Sequence, residues 1–223
     1  MIRVHHLNNS RSQRILWLLE ELGVDYELVR YERDQETMLA PESLRQLHPL
    51  GKSPLLEDDG KVYAESGAII QYLVDRYDSE RQLSPAPDSD RRPRFDYWLH
   101  YAEGSAMPPL LLSLVFNRVR NGPMPFFVRP VARAIADKVS GSFIDPQLKL
   151  HFDYLEAELA ASGWFASEDF SAADVMMSFP VEAGEKRVGY RNRPRLRQFL
   201  QAIHARPAYQ RALERGGPYD LLG

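Results

Sequence analysis

Hydrophobic rhythm changes once along this chain, close to residue 78. Before that point short strands and helices alternate; after it only helical spacing is seen. Ile2 to Leu7 reads as a strand and Asn8 to Ser10 as a turn. Ile15, Leu16, Leu18, Leu19 and Leu22 then recur at helical intervals, with Gly23 placed as a C-cap. Tyr26 to Tyr31 alternates apolar and polar residues, which predicts a second strand. A strand–helix–strand unit is the usual route to a parallel pair. An irregular polar stretch covers residues 32–40, and a short helix with proline at its start covers 41–47. Leu55 to Glu57 and Val62 to Ala64 flank Asp58-Asp59-Gly60, a hairpin signal. Ser66 to Tyr77 carries Ile69, Ile70, Leu73 and Tyr77 on one helical face. The order is β-α-β-α-β-β-α.

Beyond it, Pro85 and Pro87 mark a linker. Helical segments are expected near residues 90–119, 128–159, 172–182 and 194–205. Pro108-Pro109 should kink or interrupt the first of them. The expected organisation is an α/β N-terminal domain over residues 1–78, a linker over 79–88 and an all-α C-terminal domain over 89–223.

Composition narrows the chemistry. The chain is 44% hydrophobic and 26% charged, as a soluble globular protein is. A net charge of −3 argues against nucleic acid or an anionic membrane as partner. No run of about 18 apolar residues occurs, and the N-terminus lacks a signal-peptide layout, so a cytoplasmic location is expected. There is no cysteine. Disulfides, thiolate metal sites and a protein-borne thiol nucleophile are therefore excluded. Any sulfur chemistry must use a ligand's sulfur. His5 and His6 are adjacent in a strand and point to opposite faces, and no His/Asp/Glu cluster has metal spacing, so no metal is expected. Arg191, Arg193, Arg195 and Arg197 read as a solvated face.

Four motifs then fall in register: Asn9-Ser10-Arg11-Ser12-Gln13-Arg14, His48-Pro49-Leu50-Gly51-Lys52-Ser53-Pro54, Glu65-Ser66-Gly67-Ala68-Ile69 and Phe170-Ser171-Ala172-Ala173-Asp174. In order and spacing, over nearly the whole chain, they resemble the cytosolic glutathione S-transferases. Residues 101–109 and 176–180 look like a bacterial and fungal branch with a serine-type site. The resemblance implies a thioredoxin-like N-terminal domain, an all-helical C-terminal domain, glutathione as co-substrate and a homodimer.

It also implies roles. Pro54 would follow a cis bond that exposes the backbone of Ser53, which then pairs with glutathione's cysteinyl peptide unit as a strand edge would. Ser66, at a helix N-terminus, would bind the γ-glutamyl carboxylate and Glu65 its ammonium; Ser66 as a plain N-cap is the alternative. Lys52 would meet the glycyl carboxylate, with His48 assisting; a solvated lysine and a loop-shaping His-Pro are the alternatives. Ser10 matches the serine that donates to the thiolate, with Asn9, Ser12 or water as alternates. Arg11 and Arg14 would raise the local positive potential, or Arg14 would serve as a structural ion-pair residue. Tyr97, Tyr101, Met107, Leu111 and Phe116 are candidates for the second-substrate pocket, although aromatic residues at helical spacing also build cores. Glu103 is a candidate for reaching the γ-glutamyl end across a dimer interface. Ser171 and Asp174 form a capping box, a structural device.

The expected function is a glutathione transferase attacking apolar electrophiles, and hydroperoxides through the same thiolate, which would suit detoxification. The competing readings are a non-catalytic binding protein on the same fold, a partner of translation, transcription or stress machinery, and a glutathione-dependent isomerase or dehalogenase.

Overall fold

The computed structural model describes residues 1–34, 36–37 and 39–220. Gln35 and Met38, within the stretch read as irregular, and the last three residues of the expected helical domain lie outside the described residues. The N-terminal part runs β1 (Ile2–Leu7), α1 (Gln13–Leu22), β2 (Tyr26–Tyr31), α2 (Glu42–Leu47), β3 (Leu55–Asp58), β4 (Lys61–Ala64) and α3 (Ser66–Tyr77). Its strands form one mixed sheet in the order β2-β1-β3-β4. β1 and β2 are parallel, with Val4 opposite Leu28, whereas β3 lies antiparallel to β1, with Val4 opposite Leu56. This is the thioredoxin-like arrangement. The β3–β4 hairpin turns at Asp59 and Gly60, both at positive φ (49° and 75°), the geometry in which Asp-Gly matches the strand twist.

α1 is buried on nearly every side. Ile15, Leu16, Trp17, Leu18 and Leu19 are all 1% exposed or less. Side chains of that size stabilise by roughly 1.5–3 kcal/mol each when removed from water. A helix so apolar must sit between layers. Here the sheet and α3 lie on one side, and helices of the second domain on the other.

That domain comprises α4 (Arg92–Tyr101), α5 (Met107–Asn121), α6 (Arg129–Val139), α7 (Asp145–Ser162), α8 (Ala172–Val188), α9 (Pro194–His204) and α10 (Pro207–Gly216). The prolines at 108 and 109 do not end the helical path. They fall in the first turn of α5, and a π-helical turn over Ala102–Ala106 joins α4 to α5 ahead of them. The same device, a π-helical turn over Ser140–Ile144, joins α6 to α7 just before Pro146. Proline removes one backbone donor and crowds the carbonyl four residues earlier. The wider π turn takes up that mismatch without breaking the rod. α10 returns to α1, where Trp17 and Tyr209 pack edge to face and Arg206 pairs with Glu21 at 2.5 Å.

α8 starts from a buried cap. The Asp174 Oδ2 accepts from the Ser171 N–H (2.8 Å) and Oγ (3.1 Å), while Oδ1 accepts from the Phe165 N–H (2.8 Å). Burial lifts this carboxyl to about 6 against the pull of those hydrogen bonds. Asp174→Ala leaves buried N–H groups without acceptors. The expected loss is about 2–4 kcal/mol of unfolding free energy, read from urea midpoints at unchanged m-value.

Candidate glutathione groove

Between the domains lies a groove of about 220 Å³. His48, Lys52, Ser53 and Pro54 form one wall, Glu65 and Ser66 another, and Arg11 with Glu103 closes it from the helical side. Leu50, Leu55 and Ala64 complete the lining. The structure thus brings together all six residues that the sequence marks for glutathione.

Local chemistry explains how each wall is held. The Ser53–Pro54 bond is cis. The Ser53 hydroxyl donates to the His5 carbonyl (3.0 Å) and accepts from the Leu7 N–H (3.3 Å), so the side chain is tied to β1. His48 ends α2 in extended backbone, and its Nδ1 accepts from the Leu50 N–H at 3.4 Å, which shapes the loop. Lys52 is exposed. Glu65 has φ 69°, a left-handed conformation that a non-glycine residue rarely adopts and that clusters at functional sites. It directly precedes α3, whose unpaired N–H groups face the groove end.

Ser66 is 3% exposed, and its Oγ accepts from Arg14 Nη2 at 3.0 Å. Arg14 is 1% exposed and fully partnered. It also donates to Glu103 Oε1 (2.6 Å), to the Met176 carbonyl (2.8 Å) and to the Met176 sulfur (3.3 Å). That carbonyl is available for a reason. Pro180, four residues on in α8, has no N–H to offer it. A helix-ladder gap in one domain therefore becomes the acceptor for a guanidinium of the other. Burial opposes ionisation of Glu103, but Arg14 and Arg11 outweigh it and hold its carboxyl below the usual carboxylate range. Glu103 lines the groove of its own chain.

Turn residues between β1 and α1 lie differently. Ser10 is 5% exposed and is not part of the groove lining; its Oγ lies 2.7 Å from that of Ser12. Ser12 is fully buried, 2.8 Å from His6 Nδ1. Asn9 has φ 48°, and its side-chain oxygen accepts from the Asp220 N–H at 2.7 Å. Arg11 lines the groove instead. Its Nε reaches both oxygens of Glu103 (3.0 and 2.9 Å), and its guanidinium lies over the Phe179 ring at 4.9 Å.

The five second-substrate candidates separate. Tyr97 and Tyr101 pack with Trp98 and Tyr154 between α4 and α7, and Tyr101 bonds to His151 at 2.6 Å. Phe116 faces a second cavity of about 330 Å³ against Asp137 and Arg187. Met107 is half-buried and Leu111 exposed, one turn apart on α5. Sequence reasoning did not mark Leu50, Leu55 or Ala64, or the partnership of His6 with the turn. A signal existed for Arg14's anchor, since Pro180 inside a helical pattern announces an unpaired carbonyl.

The fold and groove together define a two-domain protein, a thioredoxin-like half whose groove opens against a helical half. Residues 1–75 match the family model for the glutathione S-transferase N-terminal domain. The chain is 36% identical to glutathione S-transferase 1 of Saccharomyces cerevisiae, over 96% of this chain and 95% of that one. It is also 36% identical to glutathione S-transferase 3 of Schizosaccharomyces pombe, over 96% and 88%. Among solved structures, a glutathione S-transferase from Actinobacillus pleuropneumoniae superposes with a TM-score of 0.80 at 37% identity, covering 99% and 95%. The chain belongs to the glutathione S-transferase family.

Arg14→Leu removes the cation that the buried Ser66, Glu103 and Met176 carbonyl share. Breaking a buried ionic network from one side costs roughly 3–5 kcal/mol. The expected result is that loss in chemical denaturation, with Arg14→Lys recovering only part of it because an ammonium lacks the fork.

Proposed function

We propose that the protein is a glutathione transferase that holds glutathione in the groove and presents its thiolate to apolar electrophiles, with hydroperoxides open to the same thiolate. The observation that carries this reading is the convergence of Lys52, Ser53, Pro54, Glu65 and Ser66 on one groove. Charges in the groove suit a tripeptide with a zwitterionic head and a carboxylate tail. Glu65 would take the γ-glutamyl ammonium. Ser66 would take the neighbouring carboxylate: because its oxygen already accepts from Arg14, its own proton is free to donate. Lys52 would meet the glycyl carboxylate, helped at the loop by His48. Ser53 and Pro54 would pair the cysteinyl unit along the backbone edge. The sulfur would then lie at the Asn9-Ser10-Arg11 turn, beside the N-terminus of α1.

The second substrate would lie along α5. Met107, Leu111 and Val115 repeat every four residues, and the last two are 55% and 44% exposed. This makes an apolar stripe leading away from the groove, as a hydrophobic electrophile requires. Tyr97 and Tyr101 belong to aromatic packing on this reading. The family resemblance supports a homodimer; light scattering that returned the mass of a single chain would refute it.

Calorimetry with glutathione tests the central claim. Binding is expected at millimolar concentration or below, with thiol loss when an aryl halide is added. Ser66→Ala should weaken binding by about tenfold, the worth of one charge-assisted hydrogen bond. Absence of binding at millimolar glutathione would favour a non-catalytic role for the fold.

A further inference from the structure

The hydroxyls at the turn form a chain that ends on a buried histidine. His6, on β1, is 3% exposed. Its Nδ1 faces Ser12 Oγ at 2.8 Å, and its ring lies against the backbone of Gly216 at the end of α10. That approach is close: a Cβ at Gly216 would come within 3.4 Å of the His6 ring and 2.8 Å of Gln13 Oε1. Burial pulls His6 down to about 4, so it is neutral near pH 7 and carries one ring proton. With that proton on the Gly216 side, Nδ1 is a bare acceptor. Ser12 Oγ has two acceptors in reach, His6 Nδ1 and the Leu7 carbonyl at 3.3 Å, and either hydroxyl can supply the proton of the 2.7 Å contact between Ser10 and Ser12. Ser10 also accepts from the Ser12 N–H at 3.2 Å. Both hydroxyls therefore have partners at the turn and on β1, and neither lines the groove.

Arg11 is oriented the other way. It meets Glu103 through Nε alone, and its two terminal amino groups have no hydrogen-bond acceptor among the described residues. It lines the groove. Phe179 backs its guanidinium, and the charged groups facing it are Glu103 on the π-helical turn, Arg14 on α1 and Arg33 after β2.

We infer that Arg11, not a hydroxyl of the turn, is the catalytic group that holds the glutathione thiolate, and that His6 is a positioning residue that accepts from Ser12 and holds the pair of hydroxyls at the turn. This rests on the glutathione reading above and deepens it. Glu103 fixes the near side of the guanidinium, so the free fork is already aimed when the sulfur arrives.

The test titrates the thiolate absorbance of glutathione bound to the full-length protein. Arg11→Gln should raise the bound thiol's pKa by about one unit or more. That rise should exceed the shift from Ser10→Ala, and kcat/KM at neutral pH should fall by roughly tenfold and recover as the pH is raised. Arg11→Lys, which keeps the charge, should restore at least half of the shift. A larger rise from Ser10→Ala than from Arg11→Gln, or no rise from Arg11→Gln, overturns the assignment. Long-range nitrogen–proton NMR on the glutathione-free protein reads the chain directly and needs no variant. Protonated Nε2 with bare Nδ1 on His6 is expected; protonated Nδ1 overturns the acceptor role of His6. Calorimetry with S-methylglutathione separates the two levels of the argument. Its binding should survive Arg11→Gln, since it has no thiolate to lose, and its failure to bind the native protein overturns the glutathione reading as well.

Discussion

A fully buried guanidinium holds this molecule's two halves and its site in one arrangement. Taking a charge out of water costs several kcal/mol unless it is paired and hydrogen-bonded. Arg14 meets that cost with partners from three separate segments: Ser66 at the start of α3, Glu103 on the π-helical turn, and the Met176 carbonyl in α8. No one segment could satisfy it alone. The helical domain must therefore dock before the groove acquires its final geometry, and a shift of either domain would leave a charge stranded. The apolar contacts of α1 give the docking its strength; Arg14 gives it register.

The site inherits its electrostatics from the same residue. Glu103 stays ionised in a half-buried position because Arg14 and Arg11 outweigh its burial. Once ionised, it fixes Arg11 through Nε. Ser66 accepts from Arg14 and so has its own proton to give. One buried cation thus sets the direction of a donor at each end of the groove, about a residue that the four-motif pattern placed but did not explain.

Much of this was legible in the chain. The β-α-β-α-β-β-α order follows from a change between two-residue and helical periods, and the structure keeps it. The wall residues His48, Lys52, Ser53, Pro54, Glu65 and Ser66 come from motifs whose spacing reflects turns and a helix start, which are local. What was not legible depends on distance. The route from Arg14 to Met176 spans 162 residues; Pro180 announces a free carbonyl in α8, but nothing local says which donor reaches it. Tyr97 and Tyr101 sit on an aromatic stripe, and spacing alone does not say whether such a stripe faces a ligand or the aromatic side chains of α7. The proline pair at 108 and 109 reads as a kink or interruption; its form, a π-helical turn that keeps the path helical, is not written in the local sequence.

A hydroxyl chain ending on a histidine suggests a proton relay, and magnitudes argue against one here. A free thiol titrates near 8.5. His6 is held near 4 by burial, with Arg30 adding to the depression and the Gly216 carbonyl opposing it. Moving the thiol's proton through Ser10 and Ser12 to His6 would run uphill by about 4.5 units, roughly a factor of thirty thousand. A thiolate several ångströms away could recover only part of that, since an opposite charge even within about 4–6 Å shifts a pKa by about 1–3 units. The chain therefore works as a fixed brace. It satisfies buried hydroxyls, pins the start of α1 and keeps His6 neutral beneath α10. On the assignment proposed above, stabilising a negative sulfur falls to a group whose charge needs no proton from the brace, the Arg11 guanidinium that lines the groove.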